Sequence, residues 1–354
     1  DRDEESGWTI LNGNRMTGKA AMKAANIPRL ILGAKESLAL INGATFSAAL
    51  AALAAWDAAN LLRHAELATA LALEALLGVS HAFDKRIHAA RGHAGQSEVA
   101  AHLRALIGGS SFIDAAGRVQ DAYSLRCVPQ VIGPALDTLR LVETWIEREI
   151  NAATDNPLIF TEPNGSMRAI SGGNFHGEVM ALAMDFLGIA LAEVGAIVER
   201  QINRMVDQNY SHGLPPMLVA SPEAAGLNSG LMMPHYTAAS LALENQTLAH
   251  PDSVHSLPTS AGQEDHNANA LTAARHARQI IRNVSHILAI HFFTSAQAID
   301  LRKEANPALA LASATAAAHA AIRRAAATAD RDRLFGPDIE RIAELVRRGD
   351  FVAV

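Results

Sequence analysis

The amino-acid sequence predicts an all-α protein with minimal strand, its long buried helices forming a bundle that extends across subunits. Hydrophobic residues fill 49% of the 354 positions while aromatics fill only 5%, so the core must be aliphatic and alanine-rich, as closely packed helices are. From Glu178 the chain runs to Val198 apolar on nearly every side, and such a helix has to be buried all round. The pattern yields at least six helices longer than fifteen residues. A monomer of this size cannot bury that much uncharged helix, whereas subunits that pool their helices can.

Composition also excludes several classes. The net charge is -6 and no Lys/Arg cluster stands out, which argues against nucleic acid as the main partner. One cysteine, Cys127, leaves no internal disulfide framework and no Cys-rich zinc site. The opening Asp1-Arg-Asp-Glu-Glu-Ser is too polar for a signal peptide. Asp185 and Glu193 interrupt the one apolar run of membrane length, so it reads as a core helix and the chain as cytoplasmic.

Residues 1–18 are polar and turn-rich without periodicity. Lys19 to Asn26 is amphipathic, and Ala34 to Ile41 is helical until Asn42-Gly43 breaks it. A second helix runs from Thr45 to about Leu77, where Gly78 ends it. Arg91-Gly-His-Ala-Gly-Gln96 reads as a loop, with Ser97 capping a short helix to Leu106. A helix follows from Gly133 to about Asn151, then a turn at Thr154-Asp-Asn-Pro157, an extended Leu158-Ile-Phe160, and a hairpin tip at Glu162-Pro-Asn-Gly165. Ser171-Gly-Gly-Asn-Phe-His176 opens a helix of about thirty residues, roughly 45 Å long. Ser221 to Gly226 is a loop, Met232 to Leu248 a mostly buried helix, and Asn267 to about Arg302 another long one. The tail holds an alanine-rich helix and a short amphipathic one, Asp338 to Arg348. These elements group as a polar segment 1–33, a helical core 34–305 and C-terminal helices 306–354.

Three stretches carry chemistry. The adjacent glycines 172 and 173 allow positive φ or close approach, and the loop they hinge sits at the positive end of a buried helix, where an anion is favoured. An ordinary helix start fits the same residues. Gln120, Tyr123 and Arg126 lie three apart, so on one helix an amide, a phenol and a guanidinium would share a face and form a carboxylate site. A solvated helix face fits equally, as a C-cap role fits Asn42. The polar segment from His250 to His266, set between two apolar helices, has the length of a functional loop. Its histidines, spaced five and eleven apart, do not match a compact helical zinc site, so no metal is expected.

Taken together, these pieces resemble the aromatic amino-acid ammonia-lyases, most closely the histidine enzymes. The matching stretches are Ala34-Lys-Glu-Ser-Leu-Ala-Leu-Ile-Asn-Gly43, Gln120-Asp-Ala-Tyr-Ser-Leu-Arg-Cys127, Asn151-Ala-Ala-Thr-Asp-Asn-Pro157 and Ser171-Gly-Gly-Asn-Phe-His176. Gly213-Leu-Pro-Pro216, Gly226-Leu-Asn-Ser-Gly230 and Ser260-Ala-Gly-Gln-Glu-Asp-His266 continue the series in the same order. The resemblance implies an α-helical homotetramer of the ammonia-lyase/aminomutase type with shared active sites. It further implies an electrophilic prosthetic group, 4-methylideneimidazol-5-one (MIO), formed from an Ala-Ser-Gly tripeptide, and elimination of ammonia from an amino-acid substrate.

By the same resemblance, Arg126 pairs with the substrate carboxylate and Tyr123 lies near the prosthetic group and assists proton transfer. Asn42 and Gln120 hydrogen-bond the group or the substrate, Phe175 lines the ring pocket, and Asn174 and Gln263 belong to the binding set. Glu264 is the second catalytic candidate. A carboxylate there suits an imidazole, which points to deamination of L-histidine to urocanate. A phenylalanine or tyrosine lyase, an aminomutase, and a noncatalytic helical scaffold are the alternatives. Two departures stand out: the loop 91–96 lacks the family's usual proline, and no Ala-Ser-Gly occurs in the sequence. In the family that tripeptide precedes the region where this chain starts, so the chain is expected to be the C-terminal two-thirds of a lyase, inactive alone and in need of the N-terminal segment.

Overall fold

The computed structural model describes residues 6–221 and 226–352; most of the loop expected over 221–226 lies outside the described residues. The chain divides into two compact units, one of residues 1–43 and 155–175, the other of residues 44–154 and 176–354.

The first unit is built from two hairpins and two short helices. Trp8–Leu11 (β1) pairs antiparallel with Asn14–Thr17 (β2), where only irregular chain was expected. The reason is local: Asn12 and Gly13 take φ of 51° and 79°, the two-residue turn whose twist matches paired strands. Thr17 then caps helix Gly18–Ala24 (α1), its hydroxyl accepting the Ala20 N–H at 3.3 Å. Helix Glu36–Ile41 (α2) ends at Asn42, which is extended (φ -79°, ψ 151°) rather than left-handed, and Gly43 takes the positive φ of 98° instead. Leu158–Thr161 (β3) and Met167–Ile170 (β4) close the expected hairpin across Glu162–Gly165.

The second unit is helical. Thr45–Ala75 (α3), Val128–Ile150 (α7), Glu178–Val206 (α8), Met232–Leu248 (α9) and Ala270–Ala305 (α10) are its long members. Between them lie Lys85–Arg91 (α4), Ala94–Leu106 (α5) and the single turn Tyr123–Arg126 (α6), and Ser313–Ala325 (α11) and Gly336–Arg348 (α12) complete the unit. Among the described residues five helices exceed fifteen residues, at 31, 23, 29, 17 and 36, one fewer than the six expected; the alanine-rich helix of the tail stops at 13 residues.

The axis of this unit is α10, whose residues 287–299 are all buried, with the second half of α3 (64–75) equally enclosed. The helix expected to be buried all round, α8, leaves Phe186 and Ile189 exposed. In α9 only a narrow stripe, Pro234, Ala238, Ala242 and Asn245, is buried, and Met233, Tyr236 and Leu243 face outward. A helix at the margin of a bundle has neighbours on one side only, and α9 is such a helix.

The expected loop over 91–96 shrinks to Gly92 and His93, and α5 starts at Ala94 instead of being capped by Ser97. A tertiary contact supplies the start: the Asp137 carboxylate of α7 accepts the Gly95 N–H at 3.1 Å. At this crossing a Cβ on Gly95 would run into the Gly133 carbonyl, so the close approach needs glycine.

Candidate active site

Within the second unit, α6 carries Tyr123 and Arg126. Gln120 does not share their helix, contrary to the one-face expectation, because the chain is still extended at Ala122 (φ -67°, ψ 162°). The neighbour Asp121 accounts for this. Its buried carboxylate accepts the Val79 N–H at 2.6 Å and the Arg118 guanidinium at 2.7 Å, which ties the approach to α6 against the end of α3. Two turns of regular helix would pull that carboxylate off both partners. Gln120 is exposed just before it.

Arg126 lies with its guanidinium carbon 4.7 Å from the Tyr123 ring centroid, a cation–π contact that orients both groups. Tyr123 is 70% exposed, so its phenol is open to a ligand. The Nε of Arg126 is shielded from solvent and has no hydrogen-bond partner. Leaving a buried cationic donor unsatisfied costs about 1–3 kcal/mol, and a carboxylate ligand would remove that cost.

The polar segment before α10 forms the second part. Thr259 and Glu264 close a turn with Thr259 N–H to Glu264 O at 2.8 Å, and the Thr259 hydroxyl donates to Glu264 Oε2 at 2.7 Å. Inside it Ser260, Ala261 and Gly262 take φ of 52°, 56° and 86° in succession. Left-handed backbone at two non-glycine residues costs roughly 1–2 kcal/mol each, strain of the kind kept at functional sites. Gln263 and Glu264 are exposed at its end.

Asparagines support this turn. Asn267 Nδ2 donates to the carbonyls of Leu257 (2.6 Å) and Glu264 (3.2 Å), and Asn269 Nδ2 donates to His255 O at 2.6 Å. The front of the segment is fastened to α8, where buried Asp185 accepts the N–H groups of Asp252 (3.1 Å) and Ser253 (2.8 Å). His176, ahead of α8, stacks its ring 5.8 Å from that of His266 and sits 3.1 Å from the His266 carbonyl. His250 and His255 stack likewise at 5.4 Å. Among the described residues no group of three or more His, Cys, Asp or Glu side chains is arranged to hold a metal, and no hydrogen bond links Gln263 or Glu264 to Tyr123 or Arg126.

The first unit holds the remaining candidates. Asn42 Nδ2 donates to Asp155 Oδ1 at 3.0 Å, and Lys35 Nζ lies 2.7 Å from Asp155 Oδ2. Hydrogen bonds from Lys35 and Asn42 hold the Asp155 carboxyl down to about 2. Asn156 Oδ1 accepts from the Ser171 hydroxyl (3.0 Å) and the Gly172 N–H (2.7 Å), which pins the start of the loop bearing Asn174 and Phe175. Gly172 and Gly173 have neither positive φ nor any atom within 4 Å of a built Cβ, so neither reason given for glycine there operates in this chain. Asn174 and Phe175 are both exposed.

The anchors Asp121, Asp155, Asp185 and Asn267 were not among the sequence candidates. Two of them lie inside quoted motifs, but nothing in a motif distinguishes an anchoring carboxylate from a solvated one.

Residues 6–324 match the model of the aromatic amino acid lyase family. This chain belongs to that family. It is 46% identical over 348 residues to histidine ammonia-lyase of Alkaliphilus oremlandii, covering 98% of this chain and 66% of that protein. Among solved structures the chain resembles histidine ammonia-lyase from Trypanosoma cruzi with a TM-score of 0.88 and 38% identity, covering 98% of this chain and 64% of that one. Tyrosine aminomutase from Streptomyces globisporus gives 0.91 and 35%, with 98% and 68% covered. The chain thus spans about two thirds of the length of the curated relatives it matches. The all-α ammonia-lyase/aminomutase architecture expected from the sequence is the one observed.

Proposed function

We propose that the protein to which this chain belongs eliminates ammonia from L-histidine to give urocanate, as a carbon–nitrogen lyase. The observation that carries the reading is the 46% identity along 98% of the chain to a histidine ammonia-lyase. Two groups support it: Arg126 has a buried donor without a partner, and Glu264 is an exposed carboxylate of the kind that suits a basic ring. In this reading Arg126 binds the substrate carboxylate, Tyr123 exchanges a proton through its phenol oxygen, and Glu264 and Gln263 hydrogen-bond the imidazole.

The MIO group belongs to this proposal. No Ala-Ser-Gly occurs in the chain, so none of its residues forms the group. The donors of the helical unit nonetheless suit a group whose oxygen accepts hydrogen bonds: Gln120 and Tyr123 are exposed donors. When bound, that group supplies the electrophile that makes the substrate's amino group able to leave. This chain's own residues bind the carboxylate, orient the ring and hold the proton at Tyr123.

Homotetrameric assembly in the cytoplasm with shared sites is part of the same reading. Phe46, Leu53 and Trp56 share an outer face of α3, and Met233, Tyr236 and Leu243 an outer face of α9, all exposed in one copy. Apolar helix faces of this kind suit burial against other copies.

The test is to assay the whole protein with L-histidine, L-phenylalanine and L-tyrosine, following the unsaturated acid by its ultraviolet absorbance. Urocanate from histidine is expected; turnover of tyrosine without histidine would overturn the substrate choice. An aminomutase is the second reading, favoured by the fold's TM-score of 0.91 to tyrosine aminomutase, and a β-amino acid product would establish it.

A further inference from the structure

We propose that Gln201 is a positioning residue for this site: a buried hydrogen-bonded chain running from α10 through α8 sets where α6 presents Tyr123 and Arg126. The inference rests on the reading of those two residues as substrate groups.

A helix of one turn has no interior, so its carbonyls need partners from elsewhere. In α6 the Tyr123 carbonyl takes the Cys127 N–H at 2.9 Å. The Ser124 carbonyl takes Gln201 Nε2, 2.9 Å away on α8. Gln201 is itself held on two more sides. Its Nε2 also donates to Thr69 Oγ1 of α3 at 3.1 Å, and its Oε1 lies 2.9 Å from His291 Nε2 of α10. Gln201, Thr69, His291 and Ser295 are all fully buried.

The ends of the chain settle which way the hydrogens point. The Thr69 hydroxyl donates to the Ala65 carbonyl at 2.9 Å, so toward Gln201 it can only accept. This fixes the amide of Gln201 with its oxygen toward His291, which must therefore carry its proton on Nε2. Its Nδ1 is then an acceptor, and the Ser295 hydroxyl sits 3.1 Å away to donate to it. Burial pushes His291 down to about 3, so the ring stays neutral near physiological pH. Hydrogen bonds thus run in line from Ser295, whose hydroxyl also lies 3.6 Å from Met205 Sδ, through His291 and Gln201 to Thr69 and Ser124. In a dry core a network of this kind is either fully made or costly. None of its side chains needs to touch substrate. Its output is the placement of one backbone carbonyl, and with it the helix turn that bears Tyr123 and Arg126.

Gln297 supplies the control. It too is fully buried on α10 and uses its amide twice, on the Ala329 carbonyl (3.0 Å) and N–H (2.9 Å), with no bond to α6. In the whole enzyme, kcat/KM for histidine and the melting temperature should be measured for Gln201→Met, Gln201→Glu, Gln297→Met and Tyr123→Phe. Both methionine variants should melt lower. Only Gln201→Met should lose about 10- to 100-fold in kcat/KM, the effect of displacing reacting groups by up to an ångström.

Gln201→Glu keeps the shape and, as a neutral acid, can still donate to Ser124. Its activity should therefore approach wild type at low pH and fall as the carboxyl ionises, while the wild type shows no such fall. If Gln201→Met does not fold, this pH profile decides the matter, and a flat profile at wild-type activity overturns the proposal. Equal losses in the two methionine variants, or a fully active Gln201→Met beside an inactive Tyr123→Phe, would overturn it as well. An active Tyr123→Phe would remove the site reading itself, and this inference with it.

Discussion

The two site-bearing segments of the helical unit, α6 and the turn over 256–269, are held in opposite ways. The position of α6 depends on residues far away in sequence: Asp121 reaches Val79, and Gln201 joins Ser124 to α3 and α10 through fully buried side chains. The turn holding Gln263 and Glu264 is knit mostly by its own neighbours, since Asn267 and Asn269 bond carbonyls within seventeen residues and the contact of His176 with the His266 carbonyl is the distant one. Long-range anchoring couples a segment to global stability. Short-range anchoring lets a segment open by itself, and binding loops are drawn from such regions. Substrate binding and release would accordingly be expected to move the Glu264 turn and leave α6 fixed.

Four measurements press on that contrast. Asp121→Ala should have the largest effect, because it takes the carboxylate from half-buried Arg118, which keeps only the Leu76 and Leu77 carbonyls, and leaves the Val79 N–H without its acceptor. A loss of about 3–5 kcal/mol in denaturant unfolding is expected, with activity lost in parallel. A shift under about 1 kcal/mol would mean that α6 is not anchored globally.

Arg126→Ala should leave stability nearly unchanged and cost about 1.5–3 kcal/mol in kcat/KM, with most of it in KM. An unchanged KM would separate Arg126 from the substrate carboxylate.

The third test is pH. His291 is held neutral in the folded state, at about 3 against an ordinary value of 6.5. Between those values the unfolded chain binds the extra proton, so folding stability rises with pH there and is lost as pH falls from 6.5 toward 3. This group alone contributes a slope of about 1.4 kcal/mol per pH unit. Calorimetric stability curves for His291→Gln should show that acid limb flattened. An identical limb would mean that the ring is not enclosed as described.

The smallest effect should come from Asn267→Ala. Global melting should change by no more than about 1 kcal/mol, while amide exchange across 256–266 speeds up by about fivefold or more and KM for histidine rises. If instead the whole unit loses stability, the turn is not an independent element.

The helices were legible because burial leaves a periodic record. Long α3, α8 and α10 follow from long proline-free stretches rich in apolar residues, whereas the hairpin turn at Asn12-Gly13, with no periodicity beside it, went unread. The family motifs likewise marked Tyr123, Arg126 and Glu264. What the sequence could not indicate was which polar residues inside the apolar helices serve as anchors. Asp185 looked like an interruption of α8 and is instead the acceptor that fastens the segment before α10. Gln120 was placed on the face of Tyr123 and Arg126 by spacing alone, but the buried bonds of Asp121 keep that stretch extended.

Sequence by itself determined the element types, the all-α class, the family and most of the candidate chemistry, because each depends on local pattern or on matched motifs. Tertiary structure alone decided where α5 begins, which face of α9 is covered, and how α6 is held. Those outcomes depend on contacts such as Asp137 with Gly95 and Gln201 with Ser124, between residues 42 and 77 positions apart. Hydrogen bonds over such separations leave no periodicity in the chain, and only the packing that brings the helices together creates them.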